Sequence, residues 1–270
     1  MPPDTVDKDY VLGHFLAGFY HHFREQLVFK GGTCLRKCYF PDYRFSEDLD
    51  FTSRSSDFEL TDQMLQAVCD SIQEHIGILF YNEGVRELIH EDQPKGYQVK
   101  LRYWGANHGK NQPPPEADRW LTKIKLEIST DEILVTEPAA NQTINHPYSD
   151  ELIQNNPIAC YTIEEIIAEK LRSLAQRSYT APRDFYDLYQ LTNDFSNIDW
   201  QRILPVFQKK MDHKGLSQNP DELINDESLL QVRRVWDKSL AHQIPEAQQA
   251  DKNMIIDSVA ERIKQHLPAY

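Results

Sequence analysis

Asp48 and Asp50 stand two residues apart in the run Ser46-Glu47-Asp48-Leu49-Asp50-Phe51. Acid and apolar residues alternate there, which predicts a strand. In a strand, positions i and i+2 share a face, so both carboxylates project side by side while Leu49 and Phe51 bury. Carboxylates held that close repel and raise one another's pKa, and a divalent cation relieves the repulsion. Mg²⁺ takes few carboxylates together with phosphate oxygens, and a pair of such ions can stabilise the attacking and leaving oxygens of phosphoryl transfer. Glu127 offers a third carboxylate from a second alternating run, Thr122 to Ser129, in which Lys123, Lys125 and Glu127 share a face. In a chain with 42 acidic residues the same Asp-x-Asp pattern also describes a solvated strand face, so the pair does not decide the matter alone.

A glycine turn stands just ahead of the acidic strand, in Lys30-Gly31-Gly32-Thr33-Cys34-Leu35. Consecutive glycines let backbone approach phosphate closely, and successive amides can cradle it. A helix beginning at Thr33 would add a favourable dipole, and the Thr33 hydroxyl a further donor. An ordinary turn is the other reading, and the spacing is not that of a Walker loop. Arg44 and Ser46 flank the acidic strand; Arg44 suits pairing with an acid, and Ser46 a phosphate contact.

Lys170 and Asp184 form a third candidate set. On a helix opened by the capping-box pattern Thr162-x-x-Glu165, residues Ile163, Ile166, Ile167, Leu171 and Leu174 make an apolar stripe with Lys170 near its middle and Arg177 one repeat further on. A buried ammonium needs an anion, here either a nucleotide triphosphate or a carboxylate such as Asp184. Asp184 falls in the first turn of the next helix, where an acid also favours the helix dipole.

The elements that must position these groups follow from periodicity. Residues 9–27 read as an amphipathic helix, Leu27-Val28-Phe29 as a short apolar run entering the glycine turn, and Thr61 as the start of another helix. Strands 97–104 and 122–129 should pair antiparallel across a loop at 105–118 that contains three consecutive prolines. Beyond a polar stretch the composition turns helical, with segments from 162 to about 178, from about 183, and at roughly 199–212, 222–242 and 249–266. The expected fold is α+β, with an N-terminal domain over 1–158 and a helical domain over 159–270 completing the active-site cleft.

Three ordered segments, Lys30 to Leu35, Arg44 to Phe51, and Glu165 to Leu171 followed by Arg183-Asp184-Phe185-Tyr186-Asp187-Leu188-Tyr189, resemble the AbiEii/AbiGii-type nucleotidyltransferase toxin family. The resemblance spans roughly residues 25–195. It implies a polymerase-β-like nucleotidyltransferase fold, a mixed sheet with flanking helices. It also implies Mg²⁺-dependent transfer of a nucleoside monophosphate from an NTP and a place in type IV toxin–antitoxin or phage-defence systems. Transfer RNA 3′ ends are acceptors in some relatives, and a cognate antitoxin is the expected protein partner. Taken with the strand reading above, it makes Asp48, Asp50 and Glu127 the expected ligands of a two-metal centre. Gly31, Gly32, Thr33 and Ser46 would lie at the phosphates, and Lys170 and Asp184 would contribute to activity. The alternatives are a transferase acting on a small cationic molecule such as an aminoglycoside, and a nucleotide-binding module without turnover.

Composition bounds the rest. A net charge of −13 argues against general DNA coating, while leaving room for a local basic groove. No apolar run reaches the ~20 residues of a membrane span, and the polar start Met1-Pro2-Pro3-Asp4-Thr5 lacks a signal-peptide layout, so a cytoplasmic protein is expected. Cys34 and Cys38 form a C-x3-C pair with no second Cys/His pair nearby along the sequence, which favours reduced thiols over structural zinc.

Overall fold

The computed structural model describes residues 3–105, 113–153, 156–176, 181–193, 198–217, 219 and 223–267. The chain divides into two compact units. The first comprises Met1–Asp42, Ser46–Leu134 and Pro138–Cys160; the second comprises Tyr43–Phe45, Val135–Glu137 and Tyr161–Tyr270.

The first unit is built on a seven-stranded mixed sheet. Its strands are β1 (Leu27–Lys30), β2 (Asp48–Ser53), β3 (Leu79–His90), β4 (Gln93–Trp104), β5 (Lys123–Ser129), β6 (Ala139–Gln142) and β7 (Ile158–Cys160), in the order β3-β4-β5-β2-β1-β7-β6. β2 is central: it runs antiparallel to β1 and parallel to β5. The expected antiparallel pairing of the 97–104 and 122–129 strands is present as β4 with β5. The α+β expectation holds, with eight α-helices among the described residues.

Helix α1 (Pro3–Phe23) covers one face of this sheet, beginning and ending earlier than periodicity suggested. Its Phe19 ring lies 5.5 Å from that of Phe51, which in turn lies 5.0 Å from Phe29. Leu49, Phe51 and Phe29 are fully buried there. Each such side chain contributes roughly 1.5–3 kcal/mol on burial, and this fixes which face of β2 turns inward. The one-residue alternation then sends Asp48 and Asp50 to the opposite face. Helix α3 (Asp62–Ile76) starts as expected at Thr61, whose hydroxyl accepts from the Met64 amide at 3.2 Å, and buries Leu65, Val68 and Ile72. Helix α2 (Gly31–Cys34) is short and continues directly into a π-helical turn at Leu35–Tyr39.

The second unit is helical: α4 (Ile163–Gln176), α5 (Pro182–Asn193), α6 (Trp200–His213), α7 (Asp226–Ser239) and α8 (Lys252–His266). Arg177 and residues 106–112 of the proline-containing loop lie outside the described residues. At the start of α4 the Thr162 hydroxyl accepts from the Glu165 amide at 3.2 Å, half of the capping box. The Glu165 carboxylate does something other than close the box. It accepts from the amides of Val135 and Thr136 at 2.9 and 3.0 Å and from the Thr136 hydroxyl at 2.6 Å, and it pairs with buried Lys210 at 3.1 Å. No helix among the described residues is long and apolar enough to cross a membrane.

Candidate active site

The site in the first unit begins at the end of β1. There Lys30 pairs with Asp50 across the β1–β2 ladder, so the residues that follow, Gly31 and Gly32, turn beside the acidic strand. Gly31 has φ +80, and a Cβ on it would lie 2.6 Å from Asp50 Oδ2. Glycine is demanded twice, by the left-handed backbone and by the carboxylate pressed against its Cα. On the other side of β2, Asp48 stands opposite Lys125 and Asp50 opposite Glu127 in the parallel ladder with β5. Asp48, Asp50 and Glu127 therefore project from one face of the sheet, with the glycine turn at its rim.

Burial pushes the Asp50 carboxyl up to about 6; Lys30 and Lys125 oppose this, while Asp48 and Glu127 add to it. Three carboxylates project here from neighbouring strands, one of them resisting ionisation chiefly because it is buried, and carboxylate oxygens are the donors a hard divalent cation takes. Glu127 is held at present by weak contacts, from Gln98 Nε2 at 3.4 Å and from Lys125 Nζ at 3.6 Å. The buried Thr33 hydroxyl donates to Ser46 Oγ at 3.0 Å. Thr33 thus ties the helix after the glycine turn to the residue before the acidic strand. In this arrangement its hydroxyl hydrogen is directed to Ser46 rather than outward.

The same face continues beyond the acids. Along β4 and β5, Lys100 stands opposite Lys125 and Arg102 opposite Lys123. Like charges directly across a ladder are destabilising; Arg102 is paired with Glu83 and Lys125 with Glu127, which leaves Lys100 and Lys123 as the exposed cations of the two rows. Lys123 was read from sequence as sharing a face with Lys125 and Glu127; Lys100 was not singled out, its place in an alternating strand being the available signal.

Lys170 and Asp184 belong to the second unit, where they meet each other. Lys170 Nζ donates to Asp184 Oδ1 at 2.7 Å and pairs with Asp187 Oδ2 at 2.7 Å. Of the two anions open to it from sequence, the carboxylate is the one in contact. Asp187, fully buried, also takes a two-pronged bond from Arg44, with Nε and Nη2 both at 2.7 Å, and a bond from the Tyr43 hydroxyl at 3.1 Å. Burial works against the Lys170 charge, but Asp184 and Asp187 outweigh it and hold the ammonium's pKa above its ordinary value. Burial likewise opposes the Asp187 charge, and Arg44 and Lys170 hold its carboxyl far below the usual range. Sequence reasoning left Asp187 out because its chief partner lies 143 residues away. Arg44 pairs with an acid as expected.

One face of the mixed sheet thus presents two strand acids, a third acid on the parallel neighbour and a glycine turn against them. The chain belongs to the family described as "Nucleotidyl transferase AbiEii toxin, Type IV TA system", which it matches over residues 14–261. Its fold is similar to that of MenT4, a nucleotidyltransferase toxin from Mycobacterium tuberculosis H37Rv, with a TM-score of 0.55 at 20% identity, covering 95% of this chain and 81% of that one. An antigenic nucleotidyltransferase-like protein from Paracoccidioides brasiliensis aligns at 14% identity and a TM-score of 0.35, over 77% of this chain and 89% of that one. No curated protein sequence matches the chain.

Proposed function

We propose that this nucleotidyltransferase moves a nucleoside monophosphate from an NTP to an RNA acceptor, with tRNA the candidate, and that a cognate antitoxin restrains it. The observation that carries the acceptor class is the run of lysines Lys100, Lys123 and Lys125 on paired β4 and β5, running on from the acids in a chain of net charge −13. Such a local concentration of cations on an acidic protein suits one strand of polyanion laid across β4 and β5 toward the acids.

Asp48, Asp50 and Glu127 are the residues that would hold Mg²⁺. Bound there, Mg²⁺ would supply charge neutralisation at the triphosphate and ease deprotonation of the attacking hydroxyl. The amides at Gly31 and Gly32 approach the phosphates, and Ser46, anchored by Thr33, supports the turn. The acceptor hydroxyl loses its proton to solvent, its oxygen bonds to the α-phosphorus, and the bond from that phosphorus to the bridging oxygen breaks, releasing pyrophosphate. Lys170 and Asp184 serve the reaction as a charge-balanced pair within the helical unit.

Incubation of the purified protein with Mg²⁺, each α-labelled NTP in turn and total tRNA tests this reading. Label should enter RNA with at least one nucleotide and be lost in Asp48→Ala and Asp50→Ala. Absence of label with every nucleotide, from protein that inhibits growth when expressed, would refute the mechanism.

A further inference from the structure

Three of the four cysteines converge. Cys34 closes α2, Cys38 lies in the π-helical turn that follows, and Cys160 ends β7. Cys34 and Cys38 are four residues apart on one continuous helical stretch, so they share a face. β7 lies parallel beside β1, with Cys160 opposite Phe29, and this places its thiol under the helix that leaves β1. The three sulfurs all lie within 4.8 Å of one another. Cys34 and Cys160 are fully buried and Cys38 is half-buried, which leaves one side of the trio reachable.

Buried cysteines ordinarily pack singly as small apolar groups, as Cys69 does on α3. A trio drawn from separate elements with its sulfurs facing one another is a different arrangement. We propose that Cys34, Cys38 and Cys160 form a binding site for a thiophilic divalent cation, Zn²⁺ being the abundant one, held by three thiolates with the fourth position open on the Cys38 side. With metal–sulfur bonds of ~2.3 Å, tetrahedral geometry sets the sulfurs roughly 3.8 Å apart, so the site closes by about 1 Å at most. Each thiol gives up its proton to solvent on binding. Hydrogen bonds from Cys160 and Cys34, with the Lys37 charge adjacent, already favour the Cys38 thiolate. Along the sequence, the pair at 34 and 38 lacked partners; the β1–β7 pairing supplies the third. Because α2 begins at the glycine turn, a cation here would brace that turn from behind.

The test uses the reduced, chelator-treated full-length protein under anaerobic conditions, titrated with Co²⁺ as a spectroscopic stand-in and then with Zn²⁺. One Co²⁺ per chain is expected, with thiolate-to-cobalt charge transfer and tetrahedral d–d bands, displaced by Zn²⁺. Cys38→Ser should weaken binding at least tenfold, and Cys69→Ser should leave it unchanged. Cys34→Ser and Cys160→Ser alter fully buried positions, so alkylation of the wild type gives a reading free of substitutions: Zn²⁺ should slow labelling of Cys38 at least tenfold. Three outcomes would overturn the proposal: no thiolate band at stoichiometric Co²⁺, undiminished Co²⁺ affinity in Cys38→Ser, or unprotected Cys38. Co²⁺ bound solely without thiolate character, as at the cluster His14, His146 and Asp150, counts as the first of these.

Discussion

Gly31 and Asp50 are in mutual contact: the carboxylate oxygen of one occupies the space where a side chain on the other would begin, 2.6 Å from the ideal Cβ position. Gly77 has nearly the same backbone, φ +74, with nothing within 4 Å of its Cβ position. Gly77→Ala should therefore cost only the left-handed strain, about 1–2 kcal/mol in denaturant unfolding. Gly31→Ala should cost more and should also abolish nucleotide transfer, because Asp50 must move. Equal effects of the two substitutions on activity would separate the glycine turn from the acid site.

Asp50→Asn should stabilise the metal-free protein while ending transfer. The folded carboxyl titrates at about 6 against an ordinary 3.8, so folding favours its protonated form. Its ionised form destabilises the fold above pH 6, and that penalty fades as pH falls toward 4. In chelator-treated protein the variant should gain roughly 2 kcal/mol at pH 7.5, with the gain shrinking on acidification. A loss of stability at pH 7.5 would show the strand acids to be structurally paired instead.

Asp187→Ala should be the most damaging change in the second unit. It strands Arg44 and takes one of two anions from Lys170. Leaving a buried charge unpaired costs about 3–5 kcal/mol. Asp184→Ala leaves Lys170 its bond to Asp187, so its unfolding midpoint should fall less while its transfer activity falls. Urea unfolding of the two variants, beside their transfer rates, separates scaffold from site.

His14 should make the fold acid-sensitive. It is fully buried, and burial, helped by His146 and His75 and opposed by Asp150, lowers its pKa to about 4. The unfolded imidazole takes a proton near 6.5, so stability should fall as pH drops from 6.5 to 4 and level off below. The slope approaches ~1.4 kcal/mol per pH unit at its steepest. This runs opposite to the Asp50 effect over the same range. His14→Gln should flatten the profile between pH 4 and 6.5, and an unchanged slope would refute the assignment.

Lys100→Ala with Lys123→Ala should raise KM for the RNA acceptor by about tenfold at low salt, equivalent to ~1.4 kcal/mol, with kcat held and the salt dependence reduced. The same double variant removes two like-charge rows and should unfold at slightly higher denaturant, by several tenths of a kcal/mol. Unaltered KM with the stability gain would assign those rows to something other than the acceptor.

The site's local parts were readable from sequence because each rests on short-range regularity. Alternation gave β2, β4 and β5; the caps at Thr61 and Thr162 gave helix starts; the paired glycines marked the turn. β3 went unread: interrupted at Gly84 and exposed on both faces for much of its length, it shows no two-faced alternation. The roles decided by tertiary pairing were also hidden. Glu165 looked like half of a capping box until Val135, Thr136 and Lys210 claimed its carboxylate. Asp187 looked like packing until Arg44 reached it, and nothing near Cys34 announces Cys160.

The chain passes between its two units after Asp42, Phe45, Leu134, Glu137 and Cys160. A gene fragment starting near residue 160 would therefore lack two segments of the second unit, and one ending there would carry those two segments along with the first unit. A C-terminal fragment would lack Arg44, leaving Asp187 without its guanidinium, and would lack the Val135–Thr136 amides that satisfy Glu165. The helical half is not a detachable module that could be exchanged between relatives by a single crossover, and inheritance of this architecture should be all or nothing.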